Sequence, residues 1–79
     1  MDVRNRLREI LEEIDDEIDY ENETNMIDGK VLDSFSIIRL IAKICEEFDI
    51  NIGPKWMKNK NFNSLDAMAE MVETIMEDE

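Results

Sequence analysis

The sequence predicts an all-α protein: a four-helix bundle of three main helices and one short third helix, with a long loop between helices 1 and 2. Apolar residues recur three or four positions apart in three separate segments. Although 43% of the 79 residues are hydrophobic, only three are Phe, one is Tyr and one is Trp, so the core must consist mainly of aliphatic side chains and Met. A chain this short buries only roughly 60 to 65% of its unfolded surface. We therefore expect a single domain over residues 1–79.

The first helix is predicted over about residues 2 to 17, with one apolar stripe between charged neighbours: Val3, Leu7, Ile10, Leu11, Ile14 and Ile18. The acidic run 15–17 ends this pattern, and about 15 residues without a clear period follow. Loops of that length are either functional or disordered. We expect order near the end of this one, where the apolar residues Met26, Ile27, Val31 and Leu32 occur, with Gly29 supplying a turn.

The second helix is predicted to begin at Asp33-Ser34, since either side chain can cap free backbone N–H groups. Its apolar residues are Ile37, Leu40, Ile41, Ile44 and Phe48, and Cys45 beside them is expected to be a small buried hydrophobe. Gly53-Pro54 is predicted to end this segment, after Ile50 and Ile52.

The remaining helices are predicted from capping signals. Pro54 at a first helical position suggests a short, irregular third helix that ends by Lys60. Ser64 is the expected N-cap of the last helix, with Asp66 in its first turn. The apolar stripe of that helix is Leu65, Met68, Ala69, Val72, Ile75 and Met76.

Composition excludes several classes of function. With one Cys and no His, the chain has no disulfide framework, no zinc site of the Cys/His type and no His-activated nucleophile. The net charge of −12 argues against nucleic acid as a partner, because phosphate binding needs Lys and Arg. No apolar run suits a signal peptide or a membrane span, so we expect a cytoplasmic protein without a transmembrane segment. We also expect a monomer.

The segment Leu32-Asp33-Ser34-Phe35, followed by regularly spaced apolar residues and Glu46-Glu47-Phe48, resembles the attachment helix of acyl carrier proteins. The resemblance extends more weakly over nearly the whole chain. It implies that a separate phosphopantetheinyl transferase places 4'-phosphopantetheine on Ser34, and that the arm then carries an acyl or aminoacyl thioester. It also implies that Asp33 helps to hold a transient magnesium ion in the transferase complex. Without His, no internal base activates the hydroxyl, so Ser34 is a modified residue and not a catalyst.

The second helix departs from the pattern of fatty-acid-synthesis carriers, whose outer face is typically acidic. Arg39 and Lys43 occur there instead, which is closer to D-alanyl carrier proteins and to specialised carriers that work with dedicated ligases. We expect Phe35, Arg39, Lys43 and Trp56 to contact an acyl or aminoacyl ligase and downstream acyl-using enzymes, Lys55 and Lys58 adding to the charge. The alternative for the charged residues is an ordinary solvated helix face.

Several interpretations stay open beside the carrier. Trp56 and Met57 either complete a small core or border a groove that shelters the arm. The chain as a whole is alternatively a small acidic interaction module, an adaptor or inhibitor without a prosthetic group. An enzyme would depend on the carboxylates of helix 1, which are spaced as a solvated face. A calcium loop starting at Asp15 fails, because Tyr20 stands where Gly is needed.

Overall fold

Three α-helices form the protein, as a computed structural model of residues 2–78 shows: α1 (Val3–Ile14), α2 (Ser34–Phe48) and α3 (Leu65–Asp78). Two 3₁₀ turns, Pro54–Trp56 and Asn59–Asn61, lie between α2 and α3, and no strand occurs within residues 2–78. The all-α prediction is confirmed. The predicted four-helix bundle is not confirmed, because the segment expected to form a short third helix forms two separate turns.

The 3₁₀ segment fails to become one helix for a local reason. Pro54 starts the first turn as predicted, but Met57 (φ −80°, ψ 63°) and the extended Lys58 interrupt the helical backbone before the second turn begins. Neither turn buries a residue fully, so packing does not compensate for the missing helical hydrogen bonds.

Helix α1 is shorter than predicted and ends at Ile14. The next residue, Asp15, is extended (φ −155°, ψ 111°), and the acidic run that follows is unfavourable at the negative end of a helix dipole. Tyr20 accounts for the new direction of the chain. Its side chain is buried, and its hydroxyl lies 3.0 Å from the carbonyl oxygen of Leu11 and within hydrogen-bond distance of that of Asp15.

The core lies between the three helices and is closed on one side by the long loop. Its fully buried members come from every helix and from the loop: Leu7, Leu11, Met26, Leu40, Ile44, Leu65, Met68 and Val72. No polar or charged residue within residues 2–78 is buried. Cys45 was expected among the buried residues, but it is partly exposed because it lies on the flank of α2 beside Ile44.

The end of the long loop is ordered, as predicted. Met26 is fully buried, and its backbone N–H donates to the carbonyl of Asn63 at 2.9 Å. Gly29 does supply a turn, but the left-handed residue is Lys30 (φ 57°). Glycine is needed because a Cβ at position 29 would lie 2.6 Å from the backbone oxygen of Asn25.

No helix within residues 2–78 combines the length and the apolar character that crossing a membrane requires.

Candidate functional site

Ser34 is the first residue of α2 and is exposed to solvent. Asp33 precedes it as the N-cap, in an extended conformation (φ −83°, ψ 171°), and its Oδ1 accepts a hydrogen bond from the Ser36 backbone N–H at 2.7 Å. That bond is the main reason why the pKa of Asp33 lies below its usual value. The predicted capping role of Asp33 is confirmed, and the Ser34 hydroxyl stands beside an ionised carboxylate at the amino end of the helix.

The chain enters this helix along a fixed path. Leu32, the residue before the cap, is 4% exposed, and Ile37 packs partly against the same core. These two residues occupy the positions of a hydrophobic staple, which fixes the angle at which a chain enters a helix. The exposed Ser34 therefore lies between the buried Leu32 and the partly buried Ile37.

A shallow pocket of about 440 Å³ lies beside Ser34 and is lined by Ile27, Lys30, Leu32, Asp33 and Ile37. A second, smaller pocket of about 110 Å³ adjoins it, because Ile27 and Ile37 line both. The smaller pocket is lined mainly by apolar side chains of the loop, α2 and the segment after the first 3₁₀ turn, Ile27, Ile37, Ile41, Met57 and Phe62, together with Lys58 and Asn59. We call the two pockets together the groove.

The groove decides in part between the two interpretations of Trp56 and Met57. Met57 is 50% exposed and lines the groove. Trp56 packs partly against the core and lines other pockets, which do not include Ser34. The Nζ of Lys55 lies 5.1 Å from the centre of the Trp56 ring, a cation–π distance. The two adjacent residues thus face different parts of the molecule.

Two large apolar side chains on α2 are exposed next to Ser34. Phe35 is 70% exposed and Ile38 is 66% exposed, whereas Leu40 and Ile44 on the opposite side of the helix are fully buried. The exposure of Ile38 was missed in the sequence. The signal was present, because Ile38 lies two positions before Leu40 and six before Ile44, and these spacings place it on a different side of the helix from both.

Positive charge is distributed unevenly around the molecule. The three arginines of α1 are in ion pairs: Arg4 with Glu21 and Asp66, Arg6 with Glu9 and Glu47, and Arg8 with Glu21. The other six of the nine basic residues form no ion pair with any residue between positions 2 and 78, and they are Lys30, Arg39, Lys43, Lys55, Lys58 and Lys60.

The predicted docking cations differ in their surroundings. Arg39 is exposed, four residues after Phe35 on α2. Lys43 is partly buried and lines a polar depression between α1 and α2 with Arg6, Glu13, Glu46 and Glu47. The charge of Lys43 is therefore partly balanced by neighbouring carboxylates, and that of Arg39 is the more available to another molecule.

The arrangement fits a phosphopantetheine group. An exposed hydroxyl at a helix N-terminus places a phosphate at the positive end of the helix dipole, although the Ser36 N–H there is already bonded to Asp33. Lys30 lines the pocket beside that hydroxyl and supplies a cation. No cluster of three or more His, Cys, Asp or Glu residues suited to a metal ion occurs in the described range 2–78.

Comparison with known proteins gives one family. The family model described as "phosphopantetheine attachment site" matches residues 2–72. No curated protein and no solved structure matches the chain significantly.

Proposed function

Since this chain belongs to the phosphopantetheine attachment-site family, whose model covers residues 2–72, we propose that Ser34 is the residue that bears its arm. Domains of this family carry 4'-phosphopantetheine on a Ser and are carriers rather than enzymes. We further propose that the cargo is an acyl or aminoacyl group, held as a thioester and delivered to partner enzymes. The observation that carries the assignment is the exposed first residue of α2, flanked by the ionised Asp33 and a pocket.

The surroundings of Ser34 support attachment by a separate enzyme. The chain contains no His to act as a base, and we propose that the transferase supplies the group that takes the hydroxyl proton. Asp33 presents a carboxylate that is already ionised, the state in which it can share a magnesium ion with that enzyme. The phosphodiester that results lies at the positive end of α2, an attraction of about 0.3 to 1 kcal/mol that repulsion from the Asp33 carboxylate opposes.

When bound, the group supplies the thiol that forms the thioester. The groove offers part of the arm or its cargo a place to leave water, since it starts beside Ser34 and continues between apolar side chains. Because a tethered group is confined near its target, delivery depends on effective concentration at the partner enzyme and not on catalysis by the carrier.

Partner enzymes are proposed to dock on the exposed face of α2. We define this docking face as Phe35, Ile38, Arg39 and Lys43. Its two apolar side chains are more than half exposed, and Arg39 forms no ion pair with a described residue. A partner that fits it has an apolar pocket bordered by acidic residues. Trp56 stays a predicted contact outside this face.

The docking proposal is tested by charge reversal. Arg39→Glu is expected to slow loading by the cognate ligase and to make the rate less sensitive to salt, whereas Lys60→Glu, an equal change of charge on the second 3₁₀ turn, leaves loading near wild type. Equal rates for wild type and Arg39→Glu would count against docking through this face.

Attachment itself is tested by intact mass after incubation with coenzyme A, magnesium and a promiscuous phosphopantetheinyl transferase. We expect the wild type to gain one phosphopantetheine, Ser34→Ala to gain none, and Ser36→Ala to gain one. Ser36 is the matched control because it lies two residues later in the same helical turn. A wild-type chain that gains nothing would favour the acidic interaction module instead.

A further inference from the structure

The loop before Ser34 is fastened to the start of α3 by Asn63. The Oδ1 atom of Asn63 accepts hydrogen bonds from the backbone N–H groups of Ile27 and Asp28, each at 3.0 Å. Its Nδ2 donates to Asp28 Oδ2 at 2.8 Å, and its backbone oxygen accepts from Met26 N–H at 2.9 Å. Four hydrogen bonds to one residue make this a firm anchor, and it fixes the backbone at Ile27, whose side chain lines both pockets of the groove.

A weaker contact joins the same loop to the second 3₁₀ turn. The Nδ2 of Asn59 donates to Asp28 Oδ1 at 2.9 Å, and both side chains are exposed. Asp28 adjoins Ile27, which lines the groove from the loop side, and Asn59 lines it from the opposite side with Met57. The two walls at this place cannot separate unless the Asp28–Asn59 bond breaks.

We infer that the Asp28–Asn59 hydrogen bond is a latch that limits the length of acyl group that the smaller pocket of the groove shelters. This inference rests on the proposed attachment of the arm to Ser34. With the bond formed, the apolar end of the groove measures about 110 Å³. An apolar cavity of about 150 Å³ holds benzene, so this space suits roughly four carbon atoms. A longer chain needs the walls to part, and a single exposed hydrogen bond is the contact that yields most easily.

The test variant is Asn59→Asp, which keeps the size of the side chain but places a carboxylate against that of Asp28. Repulsion between the two carboxylates opens the latch. Asn51→Asp is the matched control, because Asn51 is also exposed and lines a different pocket, away from Ser34. Asn59→Ala, which removes the donor without adding charge, is the second test variant.

The four proteins are loaded with butyryl or octanoyl phosphopantetheine from the corresponding acyl coenzyme A by the promiscuous transferase. Cleavage of each thioester by hydroxylamine is followed by intact mass. A thioester sheltered about two thirds of the time is cleaved about threefold more slowly than an exposed one. We expect wild type and Asn51→Asp to protect butyryl but not octanoyl, and both Asn59 variants to protect octanoyl by about threefold.

The outcomes separate the latch from the proposed function. Octanoyl cleavage at the wild-type rate in Asn59→Asp and Asn59→Ala overturns the latch while attachment at Ser34 stands. An equal change in Asn51→Asp and Asn59→Asp also overturns it, since the effect is then one of net charge. A wild-type chain that takes up no arm overturns the proposed function and the latch with it.

Discussion

Removal of the Met26 side chain is expected to destabilise the whole protein, although this residue lies in a loop outside every helix. Met26 is fully buried, and its backbone oxygen accepts from the N–H groups of Val31 and Leu32 at 2.9 and 3.1 Å. The Met26 side chain thus attaches the turn that precedes Ser34 to the core. Met76, which is 40% exposed on α3, provides the matched control.

The magnitude follows from burial. A fully buried Met replaced by Ala costs about 2 to 5 kcal/mol, through lost transfer energy and the cavity left behind. A domain of this size is stable by only about 4 to 12 kcal/mol, so a cost near 3 kcal/mol is a large part of the total. Met76→Ala should cost less than about 1 kcal/mol, because much of that side chain already meets water and Ala favours the helix.

The assay is urea unfolding followed by far-ultraviolet circular dichroism. With an m-value near 1 kcal/mol per molar, typical of small proteins, Met26→Ala should lower the unfolding midpoint by about 2 to 5 M relative to wild type. Met76→Ala should lower it by less than about 1 M. Equal midpoints for the two variants would refute the conclusion that the loop is part of the core.

Three other changes give further tests of the fold by the same unfolding assay. Tyr20→Phe should cost about 1 kcal/mol at neutral pH, because the backbone oxygens that its hydroxyl contacts lose that partner. Burial raises the pKa of Tyr20 from 10.0 to about 12. The hydroxyl therefore contributes fully to the free energy of unfolding below pH 10, and this contribution falls as the pH rises toward 12. The Tyr20→Phe variant should not show this loss. Ser64→Ala should cost about 1 kcal/mol, because Ser64 Oγ accepts from Ala67 N–H at 3.0 Å as the N-cap of α3, and an unchanged midpoint would argue against that cap. Gly29→Ala should lower the free energy of unfolding by about 1 to 3 kcal/mol, because the new Cβ clashes with Asn25. Gly53→Ala, whose new Cβ has no atom beyond its chain neighbours within 4 Å, should be nearly neutral. Equal losses in the two variants would contradict the close approach at Gly29.

The main helices could be predicted from sequence because their signals are local. Asp33 and Ser64 each cap the helix that was expected to follow, and the apolar spacing of α2 identified Leu40 and Ile44 as core residues. The end of α1 was placed too late because Ile18 continues the helical spacing. The structure ends the helix at Ile14, where a contact from Tyr20 several residues away directs the chain elsewhere.

The candidate site was predictable in part for the same reason. Asp33 and Ser34 form a short local motif in which Asp33 caps the helix, and such a motif can be recognised from the sequence alone. The anchor made by Asn63 was not predictable, since its side chain meets Ile27 and Asp28, which are 36 and 35 positions away, and such contacts leave no periodic pattern. The two 3₁₀ turns were mistaken for a helix because Pro54 signals a helical start without revealing where the helix stops.

The most direct measurement of the central claim is peptide mapping by tandem mass spectrometry of the chain isolated from its native host. We predict a phosphopantetheine mass on the peptide that contains Ser34, with fragment ions that place it on that residue and on no other Ser. A chain recovered without the group, or with the group on Ser36 or Ser64, would contradict the claim.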